Sequence, residues 1–283
     1  MKVRNRLRLD PSAIAVVVGE KGADATPGVK GKKRAARDVR KLAPKLADLQ
    51  ERLYADGKSG GTRRVVVVLQ GMDTSGKDGA VKHVVGLVNP AGVKITSFGK
   101  PTKEELRHDF LWRVTRALPL PGYVGVFNRS HYEDVLIVRV HDLVPKEQWE
   151  ARYDLINAWE AEQVAKGVTF VKVFLHISYD EQRRRLLARL SDVRKHWKIN
   201  PGDIDERKLW ESYREAYAAL LQRCSTEVAP WYVVPADRKW YRNWALSHLL
   251  LETLEDIDPQ WPVRPELDLG GMRKALKESA KKT

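Results

Sequence analysis

The run Gly71-Met-Asp-Thr-Ser-Gly-Lys77-Asp78-Gly79 has the residue types and spacing for phosphate chemistry. Gly71, Gly76 and Gly79 let successive backbone N–H groups close around phosphate oxygens, with Thr74 among them. Lys77 adds a point charge, and the helix opened by the next residues brings its positive end to the same place. An ordinary nucleotide-binding loop of this type has Ser or Thr after the Lys, to hold Mg²⁺ on the terminal phosphates. This chain has Asp78 there, and a further carboxylate, Asp73, inside the loop. A metal ion must therefore be held differently.

A second group is Phe127-Asn128-Arg129-Ser130-His131-Tyr132-Glu133-Asp134. Arg129 is suited to stabilising charge that builds on a transferring phosphoryl group, and Glu133 or Asp134 to Mg²⁺ or its water shell. His131 is expected to be structural, or a phosphate hydrogen-bond donor, rather than a base. A third group concentrates cations from Arg183-Arg-Arg185 through Arg189, Asp192, Arg194, Lys195, His196, Trp197 and Lys198, ending at Pro201-Gly202. Such a segment can close over phosphates as a mobile lid. On charge alone, a solvated basic helix face would read the same way.

The elements that must position these groups follow from hydrophobic pattern. Val65-Val-Val-Val-Leu69 is a strand leading straight into the glycine loop, whose helix runs to about Val88. Further strands are expected at Val93–Ser97, Tyr123–Phe127, Thr169–Ile177 and Trp231–Val234. Helices are expected over Lys32–Asp56, where Pro44 introduces a kink, over Glu104–Ala117, along the stripe Trp149, Tyr153, Ile156, Trp159 and Val164, and over Lys239–Glu255. Val135–Val140 has β-branched side chains but a position that favours helix. Residues 1–31 show little periodicity and read as an extended or wrapping arm, and Lys274–Thr283 as a frayed tail. Strands separated by helices, with no hairpin signal, predict an α/β fold: a P-loop kinase-like three-layer sandwich with a mostly parallel five-stranded sheet and a helical lid. The second group then emerges at the same carboxyl edge of the sheet as the glycine loop. The chain divides into an arm and amphipathic helix over 1–60, a phosphotransferase domain over 61–262 with its lid at about 189–204, and a tail over 263–283.

Composition agrees with a soluble enzyme. The 283 residues are 43% hydrophobic, enough for one large core. No apolar run approaches the roughly 20 residues needed to span a membrane, and the basic start lacks the apolar core of a secretion signal, so a cytoplasmic location is expected. The single cysteine, Cys224, reads as a small buried side chain. Lys and Arg exceed Asp and Glu by 51 to 37, a net charge of +14, which calls for a partner bearing many negative charges. No nucleic-acid motif accompanies that charge, so neither nucleic acid nor membrane is expected as the partner.

Together these residues resemble the polyphosphate kinase 2 family, and within it the subgroup that accepts nucleoside monophosphates as well as diphosphates. The resemblance runs from about residue 60 to about 262. The loop from Gly71 to Gly79 resembles the family's Walker A loop, with Asp73 and Lys77 at its essential acid and lysine. Asn128-Arg129-Ser130 with Tyr132 resembles its Walker B region. Arg189, Asp192, Lys195, Trp197 and Lys198 resemble its lid module, and Ala229–Asp237 with Trp240 and Asn243 its C-terminal signature. The resemblance implies catalytic roles for Asp73, Lys77, Arg129, Glu133 and Arg189. It implies phosphate binding by the loop residues Gly71, Thr74, Gly76, Lys77, Asp78 and Gly79, by Lys82, and by Arg194, Lys195 and Lys198. Nucleotide binding falls to Arg113, Asn128, Arg129 and Glu133, and a magnesium ion, with manganese as the alternative, to Asp73 and Asp134.

Where the diphosphate-preferring subgroup has Asp before this Arg, the chain has Asn128, so the role of one carboxylate passes to Glu133 or Asp134. The stretch Lys100–Arg113 and the run Asn128–Asp134 look like the monophosphate-accepting subgroup. The expected activity is a Mg²⁺-dependent, partly reversible transfer of the terminal phosphate of inorganic polyphosphate to AMP and ADP, by a homo-oligomer, dimer or tetramer. An ATP-dependent kinase of a nucleotide or other small molecule shares the architecture, and Asp78 counts against it.

Overall fold

Six consecutive buried residues, Val65 to Gln70, make β1 (Arg64–Gln70) the centre of the fold. A strand apolar on both faces needs helices on both sides of its sheet, and β-branched side chains suit the pleat. In the computed structural model, which describes all residues except 1, 11, 13, 15–18, 20–21 and 280–283, β1 is flanked by β3 (Val124–Asn128) and β4 (Val168–His176). β2 (Val93–Ser97) and β5 (Trp231–Pro235) close the edges, giving the order β2-β3-β1-β4-β5 with every pairing parallel. The expected α/β sandwich of the P-loop kinase type is the fold observed.

One face of the sheet packs Val65, Val67 and Leu69 against Leu46, Leu49 and Leu53 of α2 (Lys32–Lys58) and Leu246, Leu249 and Leu250 of α10 (Lys239–Ile257). The other packs Val66 and Val68 against Tyr153, Ile156 and Trp159 of α6 (Lys146–Ala165) and Tyr217 and Leu220 of α9 (Trp210–Arg223). The glycine loop leads into α3 (Lys77–Val85), three residues shorter than expected. After β4, α7 (Tyr179–Leu190) is capped by Ser178, whose hydroxyl accepts from Glu181 N. It runs into a 3₁₀ turn, Val193–Lys198, and α8 (Asp203–Lys208). Pro44 lies inside a continuous α2.

Three expectations are corrected. The arm is not irregular throughout: α1 (Val3–Leu7) is held by Glu252, whose carboxylate accepts from Val3 N at 2.8 Å and Arg4 N at 2.9 Å. Leu9 N then donates to Trp231 O at 2.9 Å and Arg8 bridges Tyr232, covering the β5 edge. These anchors lie far along the chain, so no local pattern announces them. The predicted helix over Glu104–Ala117 is broken into a 3₁₀ turn, Glu105–Arg107, and α4 (Trp112–Ala117). Between them His108 is extended and Asp109 Oδ1 accepts from Leu111 N at 2.7 Å, a local bond that competes with helix. The tail forms α11 (Leu269–Ser279), exposed along its length, where fraying was expected; its last four residues lie outside the described set. Val135–Val140 is helical as expected, a 3₁₀ turn over His131–Val135 followed by α5 (Ile137–Val140). No helix among the described residues is long and apolar enough to cross a membrane.

Candidate active site

Parallel strands bring their carboxyl ends to one edge, so the loops after β1 and β3 meet there: Leu69 pairs with Asn128, and Arg129 N donates to Leu69 O at 3.1 Å. The loop after β1 turns through φ values of +148° at Gly71, +64° at Thr74 and +104° at Gly76. Thr74 is a side-chain-bearing residue in the left-handed region, a cost that persists where the surroundings impose it. A Cβ at Gly71 would stand 2.6 Å from Leu175 O, and one at Gly76 would overlap the Arg242 guanidinium. Only glycine fits either position.

Lys77 folds back over the loop, its Nζ donating to Gly71 O at 2.7 Å and Met72 O at 3.3 Å. Burial pushes its ammonium below the ordinary lysine value, against the attraction of Asp73. Arg129, itself at φ +63°, donates to Asp73 Oδ1 at 3.2 Å and lies 3.9 Å from Glu133. Burial alone would ease its proton off, but Glu133 and Asp73 outweigh it and raise its value. Asp78 Oδ1 accepts from Asn128 Nδ2 at 3.0 Å and Oδ2 from Lys198 Nζ at 2.5 Å, which ties the 3₁₀ turn after α7 to the loop and holds the Asp78 carboxyl below its usual value. From α7, Arg189 reaches Asp203 of α8 at 3.7 Å.

These groups wall a cleft of about 750 Å³. Every predicted loop residue is there, Gly71, Asp73, Thr74, Gly76, Lys77, Asp78 and Gly79, together with Asn128, Arg129, Glu133, Arg189, Lys195 and Lys198. Four predicted residues are not among its walls. Lys82 is exposed on the last turn of α3. Arg194 is 85% exposed and pairs with Asp192 at 3.0 Å. Arg113 is buried, donates to Gly99 O at 3.1 Å, lies 3.6 Å from Glu105 and covers the Phe98 ring; it borders a separate hollow of about 450 Å³. Asp134 faces Arg152, whose Nη1 lies 3.3 Å from Oδ1 and 3.0 Å from the Asp134 carbonyl. Burial pushes the Asp134 carboxyl up to about 6. The 3₁₀ turn explains why it parts from Glu133, since three residues per turn point successive side chains about 120° apart. His131 is fully buried, 3.2 Å from Glu160, as a structural residue would be.

Other cleft residues were not singled out from sequence: Arg242 and Lys239 of α10, Asp203 and Glu206 of α8, Tyr213 and Tyr217 of α9. Arg185 was read only as part of a basic run. It is the buried member of Arg183-Arg-Arg185, and its spacing of four from both Glu181 and Arg189 marks one helix face, a signal that was available.

A magnesium ion takes oxygen donors, keeps several waters and needs only one or two protein carboxylates beside phosphate oxygens. Asp73 and Glu133 flank Arg129 on the cleft wall. No cluster of three or more metal-ligating side chains is found among the described residues; the two carboxylates Asp73 and Glu133 fit an ion that keeps waters and shares phosphate oxygens. Pairing Asp73 with Asp134 as joint ligands does not fit, because Asp134 points to Arg152.

A strained glycine loop between a central parallel strand and a helix, facing Arg129 from a second strand end and basic residues from the segment after a third, defines a P-loop phosphotransferase. The model of the family described as polyphosphate kinase 2 (PPK2) matches residues 30–262, and the chain belongs to that family. It is 50% identical over 244 residues to the AMP/ADP-polyphosphate phosphotransferase of Meiothermus ruber, covering 86% of this chain and 90% of the relative. It is 43% identical over 236 residues to the ADP-polyphosphate phosphotransferase of Rhodopseudomonas palustris, covering 79% and 80%. Among solved structures, polyphosphate kinase 2 from Arthrobacter aurescens superposes with a TM-score of 0.87 at 44% identity, covering 96% of this chain and 98% of that one.

Proposed function

We propose that this chain is a Mg²⁺-dependent polyphosphate:nucleotide phosphotransferase, which moves the terminal phosphoryl group of inorganic polyphosphate to AMP and to ADP. The observation that carries the reading is the meeting of a cationic segment with a phosphate-type loop, Lys198 donating to Asp78 at 2.5 Å across one cleft. The names of the relatives in Meiothermus ruber and Rhodopseudomonas palustris support it.

An oxygen of the acceptor's terminal phosphate forms a bond to the terminal phosphorus of the chain as the bridging P–O bond breaks, and the donor leaves one phosphate shorter. The acceptor oxygen is already ionised, so alignment and neutralisation of charge do most of the catalysis and no strong base is needed. The site agrees: no histidine is among the cleft walls of the described residues, and His131 is turned into the core. Lys77 and the loop amides hold the phosphates. Arg129 and Arg189 meet charge on the transferring group, and Lys195 and Lys198 that of the donor. Bound beside Asp73 and Glu133, Mg²⁺ would neutralise phosphate charge and fix its orientation. Bonds of the same anhydride kind are made and broken, so transfer runs in part in reverse.

Incubating the protein with AMP or ADP and polyphosphate, without ATP, and following products by ³¹P NMR tests the reading. Transfer that appears only when ATP is supplied would favour the ATP-dependent kinase instead. Glu133→Gln is expected to lower activity with AMP more than with ADP, since a carboxylate there can hold metal or water where the shorter acceptor leaves a gap. Sedimentation would test the homo-oligomer that the resemblance implies.

A further inference from the structure

Four successive carbonyls of the loop are taken from behind. Gln182 Nε2 donates to Asp73 O at 3.3 Å, Arg185 Nη1 to Thr74 O at 2.9 Å and Ser75 O at 3.0 Å, and Arg242 Nη1 to Gly76 O at 3.0 Å. By contrast, the amides of Asp73, Thr74, Gly76, Lys77 and Asp78 have no protein acceptor among the described residues. A peptide plane whose C=O is held on one side turns its N–H to the other, and consecutive N–H groups turned inward make an anion cradle. Arg185 is in turn locked. Its Nε donates to Glu181 Oε1 at 2.6 Å, and its Nη2 to Ala236 O at 2.6 Å and Asp237 O at 3.0 Å. Asp237 is fixed by Ser178 through N at 2.9 Å and Oγ at 2.8 Å.

We propose that Arg185 and Arg242 are positioning residues, which shape the phosphate cradle by fixing the carbonyls of Thr74, Ser75 and Gly76. This rests on the reading of the loop as a phosphate site. Both arginines also border the cleft, so direct phosphate contact is the competing role, and the two differ in what the ligand-free protein does. A guanidinium offers several N–H donors in a rigid fork, whereas a lysine offers a point charge. Arg185→Lys and Arg242→Lys therefore keep the charge and lose the geometry.

The test is the amide ¹H–¹⁵N spectrum of the ligand-free full chain, together with kcat and KM for polyphosphate with ADP as acceptor. Each Lys variant is expected to shift the amides of residues 71–79 selectively before any substrate is added. It should lower kcat by about 10- to 100-fold, the scale of a small misplacement of reacting groups, and leave KM for polyphosphate within about threefold because the charge remains. Unchanged loop amides, with the loss carried by KM and growing with salt, would make the arginines phosphate ligands and overturn the proposal. So would full kcat in both variants.

Should either variant fail to fold, Glu181→Ala leaves both arginines in place and removes the acceptor of the Arg185 Nε. It is expected to shift the same amides and lower kcat about 3- to 10-fold as the fork loosens, and unchanged amides with full kcat would overturn the proposal. If the parent chain moved no phosphate from polyphosphate, the proposed function would fall while the amide result still decided whether the arginines shape the loop.

Discussion

Asp134 separates two readings of the site by a pH-dependent stability. Its side chain is 14% exposed, faces Arg152 and carries a carboxyl raised by burial from 3.8 to about 6. A carboxyl bound more tightly to its proton in the folded state than in the unfolded one adds stability below the unfolded value, and that stability is lost as pH rises through the folded value. The change from 3.8 to about 6, at ~1.4 kcal/mol per tenfold in proton affinity, amounts to ~3 kcal/mol. Asp134→Asn has nearly the same shape, cannot ionise, and leaves an amide oxygen for Arg152. Urea unfolding of both proteins across pH 4 to 7.5 should therefore show near-equal stability at the acid end, and an advantage for the variant growing to about 3 kcal/mol above pH 7. Transfer to ADP should stay within about threefold, with an unchanged Mg²⁺ requirement, because the side chain is outside the cleft. A stability difference that stays flat with pH would refute the burial argument. A rate loss on the order of 10²-fold with a weakened Mg²⁺ requirement would restore Asp134 as a metal ligand.

Lys77→Met and Asp73→Asn are each expected to lower the transfer rate by about 10² to 10³ with the melting temperature held within a few degrees, since they serve phosphate and metal rather than packing; an enzymatic ATP assay and a thermal scan check both. Lys172 and Glu160 are fully buried 2.6 Å apart, with Tyr132 Oη donating to Glu160 at 2.7 Å, so Lys172→Met should cost ~3–5 kcal/mol by stranding a buried carboxylate, and adding Glu160→Gln should return part of that in urea unfolding. Hydrogen exchange across residues 193–208 should slow when polyphosphate and ADP are added together, and equal exchange with and without them would make the segment a static basic surface.

The parts of this molecule legible in its sequence are those decided locally or by burial on two faces. The run Val65–Leu69 and the longer β4 announce central parallel strands, and a glycine loop between such a strand and a helix has few alternatives. Charge type alone was a poorer guide. Arg113, Lys82 and Arg194 are cationic residue types like Arg129, yet Glu105 and Phe98 claim the first, solvent the second and Asp192 the third. Which cation faces a cleft depends on turns of the chain that local pattern leaves open, as the 3₁₀ turn after Ser130 does in sending Glu133 to the cleft and Asp134 to Arg152. The bonds that Arg185 and Arg242 make to the loop reach backbone atoms more than 100 residues away in sequence, which no local pattern announces.

The departure at position 78 acquires a physical reason from its neighbours. Ser or Thr there would offer a neutral hydroxyl to a metal, whereas Asp78 spends its two oxygens on Asn128 and on Lys198 of the lid. Asn128 and Asp78 depend on each other. An aspartate at 128 would set two carboxylates within hydrogen-bond distance, and one of them would have to take up a proton or swing away. The Asn128 amide donates instead, which leaves Asp78 ionised for the lysine. The Asp78 side chain is 60% exposed and that of Lys198 29%, so the pair is solvated and worth at most ~1 kcal/mol. A pair of that strength can align residues 193–198 with the loop without fixing them there. For the lid and the phosphate transfer proposed above, which require phosphates to enter and a nucleotide to leave at every turnover, a solvated pair is suited, and a buried ion pair in the same place would hold the segment closed.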